Sequence, residues 1–153
     1  GATLLMPKRN RTLAREIALQ TLYQQDLAGN NSQKMWLYRD WEISAILSET
    51  TENHKVRDYA RVLILGTLKN IRELDERISE VTDNWKLERI AAVDRAALRQ
   101  GLYELLEMAD VPPKVVINET VELAKTFSTA RSGAFVNGVL DKLYKNLLAT
   151  SES

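Results

Sequence analysis

The sequence predicts an all-α protein, a compact bundle of about seven helices. Glycine and proline are scarce, at six and three of 153 residues. Apolar residues recur at helical spacings of three and four, and no run of β-branched residues alternates with polar ones for long enough to suggest a strand. Hydrophobic residues at 44% and charged residues at 27% are ordinary globular values, so one domain should bury its own core.

Each helix is predicted from its apolar stripe and from the turn residues that flank it. The predicted segments, in order, are Asn10–Ala28, Met35–Leu47, a third helix after a turn and N-cap at Thr50–Asn53, Ile71–Val81, Trp85–Met108 with a kink or separate turn near Leu87–Ala91, and two more after Pro112. The stripes of the first and third helices are Ala14, Ile17, Ala18, Thr21 and Leu22, and Val56, Tyr59, Ala60, Leu63, Ile64 and Thr67. In the second helix the expected apolar bulk is Trp36, Trp41 and Ile46.

The carboxy-terminal half carries the longest apolar periodicity, in the fifth helix. Its charged residues are expected on the side opposite the core: Arg89, Asp94, Arg95, Arg99 and Glu104. Pro113 suits the first position of the sixth helix, because its fixed φ is already helical. The last helix is predicted to begin near Phe135 and to end near Leu148.

We expect a flexible basic segment at 1–9, a single helical domain at 10–148 and a loose carboxy terminus at 149–153. Met6 is a candidate native start, in which case residues 1–5 are an added extension. No apolar run approaches the roughly 20 residues that cross a bilayer, so no membrane association is predicted. The absence of cysteine rules out disulfides and thiolate metal sites and agrees with a cytoplasmic location.

Catalytic chemistry finds little support in the residues. His54 and Asp58 have the spacing of a base and its orienting carboxylate, and Asp75 and Glu76 are acids of the kind that bind magnesium. Solvated helix-surface residues are the commoner explanation for both pairs. The sequence therefore predicts no enzyme, no metal and no cofactor.

Four cations gather where the first helix begins: Lys8, Arg9, Arg11 and Arg15. Positive charge at a helix amino terminus opposes the macrodipole by about 0.3–1 kcal/mol per residue, so helix stability does not explain the cluster. Contact with phosphate is one interpretation, and a solvated basic tail is the other. Tyr23, two turns beyond Arg15, has the chemistry to stack on an unpaired base or to pack at the core.

Three blocks of sequence resemble the NusB family of bacterial transcription antitermination factors. Arg11–Gln24 contains A-R-E followed by L-Y, and Trp85–Leu105 reads WKLERIAAVDRAALRQGLYEL. After Asp110-Val111-Pro112, N-E-x-V-E-L-A-K stands at Asn118–Lys125 and F-V-N-G at Phe135–Gly138. The blocks occur in the order expected of the family and together span most of the chain.

The resemblance implies two packed helical subdomains and a protein that binds boxA-type single-stranded RNA jointly with NusE, a small-subunit ribosomal protein. It would act with RNA polymerase and other Nus factors to promote readthrough in ribosomal RNA operons. The resemblance places RNA contacts at Lys8, Arg9, Arg11, Arg15, Gln20, Arg131 and Ser132. It assigns Asp94 and Tyr23 to the NusE surface. Phe135 and Asn137 would hold the last helix in place.

Two departures from the family pattern affect the RNA face. Thr12-Leu13 stand where the family often has further arginines, and Arg131 replaces an acid. We expect Arg131 to strengthen RNA attraction and partly offset the thinner arginine cluster. Two other readings stay open: the RNA-binding accessory domain of an RNA cytosine methyltransferase, and a protein-interaction module that uses the acidic stretch Glu73–Asp83. The choice between monomer and homodimer is also open.

Overall fold

The computed structural model describes residues 8–28, 40–83 and 87–152. In these ranges the chain forms helices and no strand, which confirms the all-α prediction. The helices are α1 Lys8–Leu27, α2 Asp40–Thr50, α3 His54–Lys69, α4 Ile71–Val81, α5 Ala92–Glu107, α6 Pro113–Phe127 and α7 Ala130–Glu152, and a 3-10 helix at Leu87–Arg89 precedes α5. No helix in the described ranges combines the length and the apolar character needed to cross a membrane.

Helix α5 lies at the centre of the molecule and packs against α1, α3, α4, α6 and α7. On one side α1 and α2 pack on α3, and on the other α6 and α7 pack on each other. This arrangement agrees with two packed helical subdomains. The predicted apolar stripes of α1 and α3 are buried along their whole length, so the helical periodicity identified the core of both helices.

Several helix ends lie where the turn chemistry predicted them. The Asn53 side chain caps α3 by accepting hydrogen bonds from the N–H groups of Lys55 and Val56, at 3.0 and 3.2 Å. Pro113 is the first residue of α6, as expected. The predicted turn before α5 is the 3-10 helix, which is closed by a hydrogen bond from Ile90 N–H to the Leu87 carbonyl.

The ends of α1 and α7 differ from the prediction. Helix α7 begins at Ala130 rather than near Phe135, because Thr129 caps it: its hydroxyl accepts a hydrogen bond from Ser132 N–H at 3.2 Å. It then continues past Leu148 to Glu152. Helix α1 begins at Lys8, so the two cations Lys8 and Arg9 belong to its first turn and not to a preceding segment.

In α2 the predicted contribution of Trp41 to the core is wrong. Its side chain is 65% exposed, whereas Ile43 and Leu47, one turn apart, are buried. These two residues face the core and turn Trp41 toward solvent. The predicted start of this helix, including Trp36, and the stop at 29–32 lie outside the described residues.

The prediction that the charged residues of the fifth predicted helix lie opposite the core holds for the exposed Arg89 but is wrong for three residues of α5. Asp94, Arg99 and Glu104 are buried. Because five other helices pack around α5, a buried charge on it is costly unless it is paired inside the protein. Arg99, for example, donates two hydrogen bonds to the Asp75 carboxylate, at 2.8 and 3.0 Å, and Asp75 is therefore not part of an exposed acidic pair.

Glycine at position 66 allows α3 and α5 to approach closely. A Cβ at Gly66 would lie 2.0 Å from Cζ of the Tyr103 ring, whereas a Cβ at Gly138, in α7, would meet nothing within 4 Å. We expect Gly66→Ala to lower the free energy of unfolding by about 1–3 kcal/mol, because the ring must be displaced. We expect Gly138→Ala to raise the free energy of unfolding by about 0.5–1 kcal/mol, because alanine has a higher helix propensity than glycine and its Cβ would meet no neighbour. Urea unfolding measures both changes.

A Tyr103→Ala background provides the control for this steric explanation. Without the ring, Gly66→Ala should become neutral or stabilising, since only its helix propensity remains. A loss of stability that is equal in both backgrounds would contradict a clash with Tyr103.

Candidate nucleic-acid and partner interface

The cations at the start of α1 do not share one environment. Lys8 and Arg9 are exposed, and Arg11 is half-buried. Residues spaced by about one or two turns share a helix face, so Arg9 lies on the same exposed side as Leu13 and Gln20. Leu13 is 40% exposed and Gln20 is exposed. This side of α1 presents Arg9, Leu13 and Gln20 to solvent, and it also carries the half-buried Glu16.

Arg15 lies on the opposite side of α1 and is buried, with 1% of its surface exposed. Its Nε lies 3.0 Å from both carboxylate oxygens of Glu104, and its Nη2 donates to Oε2 at 2.5 Å. The Tyr59 hydroxyl donates to the same Oε2 at 2.7 Å. The Arg15 guanidinium also lies 5.9 Å from the centre of the Tyr59 ring. Arg15 is thus engaged inside the protein, and it is not presented to a nucleic acid.

The charges of this buried cluster stabilise one another. Burial lowers the pKa of Arg15, but hydrogen bonding to Glu104 and the Glu104 charge outweigh it, so the net pKa is raised. Burial and the Glu104 charge raise the pKa of Tyr59 well above its usual value. Arg15 therefore stays charged and Tyr59 stays neutral. The sequence carried a signal of this burial, because Arg15 precedes Leu19 and Leu22 at helical spacings on the same face.

The start of α1 is also tied to α6. The Thr12 hydroxyl donates a hydrogen bond to Glu119 Oε1 at 3.1 Å, and Arg15 Nη1 lies 3.9 Å from the same oxygen. Lys8 lines a cleft with Val115 and other residues of α6. These contacts hold the start of α1 against α6.

Of the two predicted partner residues, Tyr23 lines a small cavity and Asp94 does not. The cavity has a volume of about 80 Å³ and is lined by Leu19, Gln20, Tyr23, Val93 and Phe127. Asp94, the neighbour of Val93 in the first turn of α5, is 7% exposed. Its Oδ1 is buried and has no hydrogen-bond partner in the described part of the chain. An unsatisfied carboxylate oxygen of this kind is costly unless a donor reaches it.

Arg131 and Ser132 are neighbours at the start of α7, but they differ in solvent exposure. Arg131 is exposed. Ser132 is 7% exposed, and its hydroxyl donates to the hydroxyl of Ser128 at 2.9 Å. Phe127 ends α6 beside the cavity, so Arg131, four residues later, lies within about 14 Å of it. Gln20 lines the cavity, whereas Lys8 lies about 18 Å from Gln20 along α1, at 1.5 Å per residue.

Sequence reasoning missed two parts of this surface. Val93 and Phe127 meet Tyr23 at the cavity although they are far apart in the sequence. Arg95 joins Asp26 by an ion pair at 2.6 Å, across 69 residues. No local pattern indicates either contact, because each depends on how α1, α5 and α6 pack.

The exposed cations at the start of α1 and the cavity between α1, α5 and α6 are the candidate binding features of this all-α protein. The NusB family model matches residues 12–145. The chain belongs to the NusB family, and the resemblance seen in the sequence is confirmed.

Relatives and solved structures agree over nearly the full chain. The transcription antitermination protein NusB of Anaeromyxobacter dehalogenans is 47% identical over 137 residues, covering 90% of this chain and 92% of that protein. The Symbiobacterium thermophilum protein of the same name is 39% identical, and the match covers 90% of this chain and 91% of that protein. A crystal structure of antitermination factors NusB and NusE in complex with dsRNA has a TM-score of 0.77 at 30% identity, covering 92% of this chain and 99% of that one. A structure of T. maritima NusB has a TM-score of 0.76 at 34% sequence identity, and the match covers 92% of this chain and 93% of that one.

Proposed function

We propose that this protein is a transcription antitermination factor that binds boxA-type single-stranded RNA together with NusE. It acts in the cytoplasm with RNA polymerase and other Nus factors, and it promotes readthrough in ribosomal RNA operons. The observation that carries the proposal is family membership over most of the chain, with relatives that are antitermination proteins. A related structure that contains NusB, NusE and RNA supports the choice of partners.

The RNA-contacting residues in this proposal are a revised set. Exposure supports Lys8, Arg9, Gln20 and Arg131, and the half-buried Arg11 is kept with them because it is a cation within one turn of Lys8. Phosphate oxygens attract cations, and Gln20 offers a side-chain amide to a base or sugar. Arg15 and Ser132 are left out, because both are buried and engaged within the protein.

NusE is proposed to bind at the cavity beside Tyr23 and Asp94. Asp94 is assigned to this surface by the family resemblance, and it neighbours Val93, which lines the cavity. Tyr23 supplies apolar surface with a polar tip, the kind of side chain that is enriched at protein interfaces.

The alternatives have less support. The relatives compared above are antitermination proteins matched over 91% to 92% of their length, which does not favour a methyltransferase accessory domain. A pure interaction module would use the exposed acids of α4, namely Glu73, Glu76 and Glu80. No catalytic role is proposed, and in the described ranges no group of three acidic or histidine side chains could hold a metal ion.

A mobility-shift titration with boxA-type RNA, with and without NusE, tests the proposal. We expect binding to tighten when NusE is added and to weaken steeply with salt. An RNA of the same length and scrambled sequence is the control. Equal binding of both RNAs, or no RNA binding with NusE present, would contradict the proposal; NusE binding without any RNA dependence would favour the interaction module.

Arg131→Asp tests the unusual cation at the start of α7. At 0.1 M salt we expect RNA affinity to fall by about 5-fold or more, because one phosphate contact is lost and a repulsive charge is added. Arg72→Asp, at an exposed arginine of α4, makes the same charge change away from the proposed RNA face. Unchanged or tighter binding by Arg131→Asp, or an equal loss in both variants, would overturn this role.

A further inference from the structure

We infer that Arg95 is a positioning residue for the partner site: through Asp26 it fixes the first turn of α5 against the last turns of α1, and so sets Asp94 relative to Tyr23. The inference rests on the proposed function, because it assumes that NusE binds at Tyr23 and Asp94. It adds a pair of residues that makes no contact of its own with the partner.

Arg95 and Asp26 form a close and largely buried ion pair. Arg95 Nε donates to Asp26 Oδ2 at 2.7 Å, and Nη2 lies 2.6 Å from the same oxygen. The two side chains are 14% and 10% exposed. Solvent screening is weak at such exposure, so the pair holds α1 to α5 more firmly than a surface pair would.

The remaining nitrogen of Arg95 binds the segment that leads into α5. Nη1 donates to the carbonyl oxygens of Leu87 and Ile90, at 3.0 and 2.7 Å. These carbonyls belong to the 3-10 helix and to the residue that follows it. One guanidinium therefore joins the end of α1, the 3-10 helix and the start of α5. A lysine ammonium carries a single nitrogen and cannot occupy all of these positions.

Two of these segments, the end of α1 and the start of α5, also carry the proposed partner site. Tyr23 lies three residues before Asp26 on α1, and Val93 and Asp94 immediately precede Arg95 on α5. The backbone N–H of Arg95 donates to the Ala91 carbonyl at 2.9 Å and closes the first turn that contains Asp94. A displacement of Arg95 would therefore move Asp94 relative to Tyr23 and change the cavity between Tyr23 and Val93.

The sign of the expected effect separates positioning from electrostatics. Arg95 places a positive charge next to Asp94, which weakens the attraction of this surface for a basic partner. Loss of that charge alone would therefore tighten NusE binding. Loss of the positioning contacts would weaken it.

The experiment measures NusE affinity and RNA affinity separately, using the full chain and the variants Arg95→Met and Arg95→Lys. We expect both variants to bind NusE roughly 10-fold more weakly and to bind RNA alone as the wild type does. Circular dichroism measures the folded fraction of each sample, so that affinities are compared per folded molecule. Arg77→Met is the charge control, because Arg77 forms an exposed pair with Glu73 on α4, and it should leave both affinities unchanged.

A double-variant cycle tests whether Arg95 acts through Asp94. In an Asp94→Asn background, Arg95→Lys should cause little further loss of NusE affinity. A full additional loss in that background, wild-type or tighter NusE binding by Arg95→Met, or an equal loss of RNA affinity would overturn the inference. If the wild type itself does not bind NusE, the proposed function fails and the inference falls with it.

Discussion

Replacing Arg15 with methionine is expected to lower the free energy of unfolding by about 3–5 kcal/mol. The substitution would leave the Glu104 carboxylate, 1% exposed, without the guanidinium that faces both of its oxygens. Only the Tyr59 hydroxyl would still donate to it. A buried charge without its partner is among the most destabilising features that a single substitution creates. Urea unfolding at neutral pH measures the change.

Two comparisons make this prediction specific. Arg77→Met removes an arginine from the exposed pair with Glu73, and it should cost about 1 kcal/mol or less. Adding Glu104→Gln to Arg15→Met removes the stranded charge and should restore part of the lost stability. A loss below about 1 kcal/mol for Arg15→Met, close to that of an exposed pair, would contradict the buried ion pair.

The role of Arg15 changes how a loss of RNA binding should be interpreted. An Arg15→Ala variant that fails to bind RNA would report a weakened fold, since this side chain holds α1 to α5. Phosphate contacts must therefore be tested at Lys8, Arg9 and Arg11, which lie outside this buried cluster or at its edge.

Exchanging Lys8, Arg9 and Arg11 together for glutamine is expected to lower RNA affinity on the order of 100-fold at 0.1 M salt. Each contact to single-stranded RNA contributes about 0.7 to the slope of log affinity against log salt, so three contacts contribute about two. The slope of log affinity against log salt should therefore be smaller in magnitude by about two for the triple variant than for the wild type. Fluorescence anisotropy over a series of salt concentrations measures both quantities.

The matched control removes three exposed cations elsewhere: Arg72 of α4, and Lys142 and Lys145 of α7. It has the same net charge as the triple variant at α1. A similar affinity and slope in the two triple variants would mean that overall charge, and not the start of α1, attracts the RNA.

Much of the fold follows from local patterns in the sequence. The bounds of α4, the N-cap at Asn53 and the start of α6 at Pro113 agree with the prediction, because each depends on residues within one or two turns. The stripes of α1 and α3 agree because each of these helices buries one face only. Helix α5 is the exception: it is enclosed, and its charges pair with residues of α1 and α4 that are distant in the sequence.

The candidate site was less predictable than the fold. The sequence places Arg9 and Arg15 in one basic cluster, but a helix turns each residue by about 100°, so Arg15 faces the core while Arg9 is exposed. Likewise, Arg131 and Ser132 are neighbours, but only Arg131 is exposed. Burial depends on which helices surround a residue, and charge patterns carry no information about that.

The most direct test is a map of where RNA lies on the protein. BoxA-type RNA that carries a photoreactive base is crosslinked to the full chain in the presence of NusE, and the modified peptides are identified by mass spectrometry. The account predicts crosslinks within residues 8–20 at the start of α1 and at Arg131, and none on the exposed acids of α4. Crosslinks confined to α4, or tight RNA binding without any crosslink along α1, would contradict it.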